Sequence, residues 1–325
     1  MKKFSILLCV LAMVSFSCNN HKKDVKTQNT LFESAPNFDA DSAYFYVNKQ
    51  VSFGYRIPNT KPHQECAAYL AATLQSFCDT VYIQNFIATN YEGKKLKSQN
   101  IIGSFAPEKT NRILLGAHWD SRPFADHDAD PLKKDTPIDG ANDGASGVGV
   151  LLEIARQLSI KNPEIGIDII FFDAEDWGPP SSSQIEGDWW CLGSQYWSRT
   201  PHKPGYRANY GILLDMVGGK NAQFFHEGIS IQYAQNIVSK IWGQAHRLGF
   251  KDYFINQPGN PIIDDHLYVN RIARIPMVNI IHQDNSTGTG FNYTWHTSMD
   301  NMSNIDRRTL EVVGKTVLAV IYSEK

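Results

Sequence analysis

The chain has 325 residues, with 31 Lys or Arg against 33 Asp or Glu and a formal net charge of −2. It is 42% hydrophobic and 20% charged, the balance of an ordinary folded protein. Nothing in it builds the basic field that nucleic acid or an anionic membrane surface attracts, and no basic run is interleaved with aromatics.

Residues 1–17 read as a signal peptide: Lys2 and Lys3 precede the apolar run FSILLCVLAMVSF, and small Ser17 precedes Cys18. The run is shorter than the ~20 apolar residues that a membrane span needs. VSFSC resembles a bacterial lipobox, which implies that Cys18 is the lipidated first residue of the mature chain; an ordinary signal peptide is the alternative. The polar stretch 18–35 reads as a disordered tether. The expected location is the cell envelope of a bacterium, with the chain facing the periplasm and touching the membrane only through its lipid.

From residue 36 to 325 no repeat, linker or low-complexity tract intervenes, so one domain is expected. Helical periodicity runs over 39–52, 62–77, 144–160, 229–248 and 304–322. Apolar runs suited to buried strands cover 80–87, 99–105, 111–117, 165–172, 209–217 and 275–281. This alternation predicts an α/β three-layer sandwich: a central mixed, mostly parallel twisted sheet with helices on both faces. Cys66, Cys78 and Cys191 show no zinc spacing and read as small core residues; on one helix Cys66 and Cys78 would lie ~18 Å apart, too far to bridge.

In open α/β sheets ligands sit beyond the carboxyl ends of the strands, so the residues that follow each apolar run belong together. After RILLGA come His118 and Asp120; Asp143 stands where the helix at 144 begins. After IDIIFF come Asp173, Glu175 and Asp176, and YGILLD ends on Asp215. GNPIIDDHLYV holds Asp264, Asp265 and His266, and FNYTWHTSMDN holds His296 and Asp300. One Asp after a strand is ordinarily a cap or turn residue; six polar clusters at six element ends are not scatter. Gathered carboxylates repel, and burying them costs several kcal/mol each unless a cation compensates. Imidazoles and carboxylates without a cysteine pair suit a catalytic zinc, which takes three protein ligands and keeps one position open. Glu175 and Asp176 are adjacent and point different ways, so one can hold metal while the other carries protons.

His118-Trp-Asp120-Ser, Asn142-Asp143-Gly-Ala-Ser-Gly, Ala174-Glu175-Asp176, Gly193-Ser194, Leu214-Asp215-Met, Asp264-Asp265-His266 and Trp295-His296-Thr resemble the zinc aminopeptidase clan with the M28-type fold, over most of residues 40–325. Two branches of that clan fit. In the two-zinc aminopeptidases the ligand positions would fall on His118, Asp143, Asp176, Asp215 and His296, with Glu175 as general base. The glutaminyl cyclases use one zinc, and three finer features are similar to theirs: Trp295 directly before the ligand His with a following DN…NID run, DDH in place of SDH, and Phe291 four residues before Trp295. These favour the cyclase. Both branches usually carry Glu where Asp176 stands; the shorter Asp requires a slightly shifted backbone.

The cyclase resemblance implies zinc on Asp143, Asp176 and His296, with His118 nearby but not ligating. It implies peptide or protein substrates with N-terminal Gln, converted to pyroglutamyl products with release of ammonia. Glu175 would shuttle the proton, aided by Asp264 and Asp215, and Trp295 and Phe291 would wall the pocket. Trp177, Trp189, Trp190 and Trp197 fall in or after a long loop that could form a rim, and DHDADPLKKD (126–135) reads as a solvated loop.

Overall fold

The computed structural model describes Met1 and residues 35–325. Cys18 and all of the signal peptide beyond Met1 lie outside the described residues, as does the tether up to residue 34.

The chain enters through two helices, α1 (Ala40–Val51) and α2 (Lys61–Gln75). Each starts on a side-chain cap: Asp39 accepts from Asp41 N and Ser42 N, and Thr60 accepts from His63 N. A hairpin follows, β1 (Thr80–Thr89) and β2 (Lys95–Phe105), then β3 (Arg112–His118), α3 (Ala145–Ile160) and β4 (Gly166–Phe172). The second half contributes α4 (Leu192–Arg199), β5 (Gly211–Asp215), β6 (Phe224–His226), α5 (Gly228–Arg247), β7 (Phe254–Pro258), α6 (Asp265–Tyr268) with a π-helical turn (Val269–Ala273), β8 (Met277–Ile281) and α7 (Arg307–Ile321).

The main sheet has six strands in the order β1-β2-β4-β3-β5-β8. The pairs β1/β2 and β2/β4 are antiparallel, while β4, β3, β5 and β8 run parallel. Parallel strands covered on both faces read as continuous apolar runs. In β3, Ile113, Leu115 and Ala117 join the larger core with α1, α2, α3, α5 and α7, and Leu114 points to the opposite core with Trp197, Tyr206 and Val269. In β4, Ile167, Ile169 and Phe171 face the first core, and Ile170 and Phe172 the second.

The expected mixed sheet with helices on both faces is therefore what the residues build. Every expected helix and strand is present, the largest shift being β2, which starts at Lys95 rather than 99. Cys78 falls three residues past the end of α2, and Cys66, Cys78 and Cys191 are all free and buried. Among the described residues no helix is long and apolar enough to cross a membrane.

Candidate metal and catalytic site

The parallel strands end side by side, and their last residues converge. His118 closes β3, Asp215 closes β5, and Asp173–Asp176 follow β4 directly. Asp143 sits one residue before Gly144, the N-cap of α3. His296 arrives on the long segment between β8 and α7.

Asp143, Asp176 and His296 each offer one ligand atom, and these three atoms lie within 4.8 Å of one another. His296 Nε2 is 3.3 Å from Asp176 Oδ1 and 3.7 Å from Asp143 Oδ2. All three residues are buried, and Asp176 Oδ2 has no hydrogen-bond donor among the described residues. Burial and the Asp143 charge push the Asp176 carboxyl up, with His296 and Arg122 opposing. Two crowded carboxylates, one imidazole and an undonated buried oxygen fit a divalent cation, and the oxygen-nitrogen set without thiolate fits a catalytic zinc.

Asp143 also faces the other way. Its Oδ1 is 2.9 Å from His118 Nε2, which in turn lies 3.2 Å from Asp215 Oδ1. His118, Asp143 and Asp215 make a second set with ligand atoms within 4.8 Å. Burial lowers the His118 imidazole, but the neighbouring carboxylates of Asp120, Asp143 and Asp215 win and hold it well above its ordinary range. Burial, then Asp143 and Asp264, lift Asp215 to about 7.

Glu175 points away from Asp176, as adjacent residues leaving a strand must. Burial pushes its carboxyl well up, reinforced by Asp176, Asp264 and Asp265 and opposed by His118. One carboxylate oxygen each of Glu175 and Asp264 and the Cys191 sulfur lie within 4.8 Å of one another. Asp264 is itself fixed, accepting from Asp265 N at 2.5 Å and Asn279 Nδ2 at 2.6 Å.

The backbone that carries these groups is held by acids that do not face the cavity. Asp120 accepts from Glu175 N at 3.0 Å and Asp176 N at 3.2 Å, one oxygen to each amide. Asp300 does the same for Asn142 N and Asp143 N, at 2.7 and 3.1 Å. Gly144 is required by closeness: a β-carbon there would stand 2.5 Å from the His118 ring. Eight non-glycine residues among those described have positive φ, and four of them, Ala174, Cys191, Met216 and His296, belong to this site. Such conformations cost about 1–3 kcal/mol each and persist where the surroundings impose them.

A cavity of about 320 Å³ opens onto Asp143, Glu175, Asp176, Asp215, Asp264 and His296. Its walls are apolar: Trp190, Pro261, Ile262, Ile263, Ile281, Phe291 and Trp295. Phe291 and Trp295 pack with ring centroids 4.5 Å apart, and Trp295 stacks on His296 at 3.8 Å.

The structure thus brings Asp143, Asp176, His296, His118, Glu175, Asp215, Asp264, Phe291 and Trp295 to one place. Of Trp177, Trp189, Trp190 and Trp197, only Trp190 lines the cavity; Trp177 and Trp197 are buried in separate apolar clusters. The segment 126–135 is more than a solvated loop. Asp126 Oδ1 lies 3.3 Å from His296 Nδ1, and Arg122, fully buried, meets Asp126 at 2.8 Å and Asp176 Oδ1 at 3.4 Å. Arg122 also stacks over Trp190, 4.7 Å from the ring centroid, tying the pocket wall to the ligand set. Neither residue had a distinguishing signal in sequence. Cys191 is buried, as a core residue would be, but its Sγ lies 3.1 Å from Glu175 Oε1.

The model of peptidase family M28 matches residues 100–321. The chain is 56% identical to Tannerella forsythia glutaminyl cyclase, with a TM-score of 0.88, covering 89% of this chain and 100% of that one. It is 57% identical to a zinc-dependent exopeptidase from Parabacteroides distasonis, also at a TM-score of 0.88, with the same coverage. Over 261 residues it is 28% identical to the glutaminyl-peptide cyclotransferase of Bos taurus, a match that takes 69% of this chain and 65% of the bovine protein.

Proposed function

The chain belongs to peptidase family M28, and on that premise we propose that it is a glutaminyl-peptide cyclotransferase, converting N-terminal Gln of peptides and proteins to pyroglutamate with release of ammonia. The observation that carries this reading is the Glu175–Asp264 carboxyl pair beside the Asp143–Asp176–His296 set, at the floor of a cavity walled by Trp190, Phe291 and Trp295. Identity with the T. forsythia cyclase along that protein's whole chain supports it.

Asp143, Asp176 and His296 would hold one zinc, whose chemistry is Lewis acidity toward the γ-carbonyl of the substrate glutamine. The aromatic walls bury the glutamine side chain and exclude water, holding the α-amine near the carbonyl carbon of the γ-amide; nucleophile and electrophile share one residue, so a folded conformer is most of what the cavity must supply. The α-nitrogen forms a bond to the γ-carbonyl carbon and the bond to the amide nitrogen breaks. Glu175 takes the proton that the amine loses and returns it to the departing nitrogen, which leaves as ammonia. Asp176, Asp264 and Asp265 crowd Glu175 with negative charge and keep it basic enough for that traffic, while Asp215 lines the same cavity.

The second reading, a two-zinc aminopeptidase, rests on the His118–Asp143–Asp215 set. One experiment separates them: purified protein is given a Gln-initiated and a Leu-initiated peptide, with and without chelator, and its zinc content is measured. Ammonia from the first without shortening, at one zinc per chain, supports the cyclase. Free leucine from the second, at two zinc ions, replaces it with the aminopeptidase. For the N-terminus we propose lipidation at Cys18 of a periplasm-facing envelope protein; mass spectrometry of the mature N-terminus, with a Cys18→Ser control, tests this.

A further inference from the structure

We propose that Cys191 is a positioning residue for the proton-transferring carboxylate: its thiol donates a hydrogen bond to Glu175 Oε1 and so gives the two oxygens of that side chain different tasks. The inference deepens the cyclase reading and rests on it for its kinetic consequence, though not for the contact itself.

Cys191 Sγ lies 3.1 Å from Glu175 Oε1, and both residues are buried. The two are also joined through the backbone, Cys191 N donating to Glu175 O at 3.0 Å and Leu192 N to Ala174 O at 3.0 Å. Cys191 caps α4 in the left-handed region, with φ 57° and ψ 38°. That conformation favours Gly, Asn or Asp in an ordinary cap. Here it turns the side chain back onto Glu175 instead of out toward solvent.

The remaining neighbours of Glu175 explain why a donor matters. Asp176, Asp264 and Asp265 surround it with carboxyl groups that repel its charge. His118 approaches the other oxygen, Nδ1 standing 4.0 Å from Oε2. Burial and the surrounding acids keep the Cys191 thiol protonated, so it brings a hydrogen where the neighbouring carboxylates bring none. With Oε1 held by the thiol, Oε2 is the oxygen left to exchange protons. An S–H group is a weak donor. It fixes the rotation of the carboxylate without stabilising the anion as an ammonium or guanidinium would, and so leaves Glu175 its basicity.

The test uses the zinc-loaded protein with Cys191→Ala, which removes the donor, and Cys191→Ser, which keeps one. For a Gln-initiated peptide, Cys191→Ala is expected to lower kcat about tenfold, the upper end of the scale for one ordinary hydrogen bond. KM should stay within about twofold. Zinc affinity, measured by chelator competition, should not change. Cys191→Ser should restore most of kcat. An unchanged kcat in Cys191→Ala, or equal losses in Ala and Ser, overturns the assignment. The contact has its own readout: the Raman S–H stretch that disappears in Cys191→Ser should rise in frequency in Glu175→Ala. A band that does not move overturns the hydrogen bond whatever the substrate. A band that moves, together with a zinc-loaded wild-type protein that releases no ammonia, overturns the cyclase reading and leaves the contact standing.

Discussion

Strand β4 carries two kinds of acid, and they are treated differently. Asp168, in its middle, is fully buried and fully answered: Arg112 Nε and Nη2 at 2.5 and 2.9 Å, Ser104 Oγ at 2.5 Å and Tyr206 OH at 2.7 Å. Asp173, one residue past the strand, is likewise met by His63 Nε2 at 2.9 Å, Gln99 N at 2.7 Å and Ala174 N at 2.7 Å. Two and three residues further on, Glu175 and Asp176 face a cavity lined by Asp143, Asp215 and Asp264. The protein supplies its own counter-charge to the first pair and leaves the second short of it. A buried acid furnished with donors on every side serves the fold; one left among other acids serves a ligand.

The largest effect that would break this contrast is on turnover. Glu175→Gln keeps the shape of the side chain and removes its proton capacity, so kcat should fall by about 10²–10⁴. Stability should hold or rise, because one charge leaves a crowd of like charges. Ammonia release and a thermal melt, run together, check both halves; retained turnover would move the base elsewhere.

Asp168 should behave in the opposite sense. Arg112→Met strands a buried carboxylate and should cost about 3–5 kcal/mol in urea unfolding. Adding Asp168→Leu to that variant should recover much of the loss, since an apolar pair of similar volume is often neutral. The folded fraction should retain its activity, because the network lies on the strand well before the site.

Metal removal comes next in size. With free zinc at about a hundred times its dissociation constant, bound zinc contributes about 2.7 kcal/mol, which a chelator should remove. Asp176→Asn should lose that response, yet be no less stable than the metal-free parent. A metal-free parent more stable than Asp176→Asn would mean that the crowded carboxylates are not straining the fold.

The same distinction explains what the sequence could disclose. Apart from Asp168, Ile167–Phe172 and its parallel neighbours are apolar on both faces, so period and length reveal them, and the acids at their ends stand out against that background. Short elements such as α6, four residues, and β6, three, give too few side chains to set a period. Asp126 and Arg122 were invisible for a different reason: the importance of Asp126 lies in a contact with His296, 170 positions away in sequence, and that of Arg122 in a contact with Asp176, 54 positions away, and a surface-like DHDADP string carries no trace of either. Cys191 was readable as buried, but its partner depends on a left-handed backbone that Cys rarely adopts.

The smallest prediction concerns an answered acid close to the site. Glu227 accepts from Ile229 N, Ser230 N, Ser230 Oγ and Ile262 N, at 2.8, 2.7, 2.6 and 2.9 Å, and from His266 Nε2 at 3.0 Å. Burial raises its carboxyl, but the His266 pair and these donors win and lower it from 4.5 to about 2. A carboxyl depressed by folding stabilises the native state above its unfolded pKa, and that share is lost as pH falls through the folded value. The window here runs from about 4.5 down to about 2, and the full shift corresponds to about 3 kcal/mol as an upper bound. Glu227→Gln should flatten the slope of urea midpoint against pH in that window. Because Glu227 holds His266 and the amide of Ile262, the wild-type protein should lose the wall formed by residues 261–263 over the same range. Fluorescence of a bound aromatic inhibitor, followed down the same pH series, should fade in step; an unchanged signal with a lost midpoint would separate this acid's role in stability from any role in shaping the cavity.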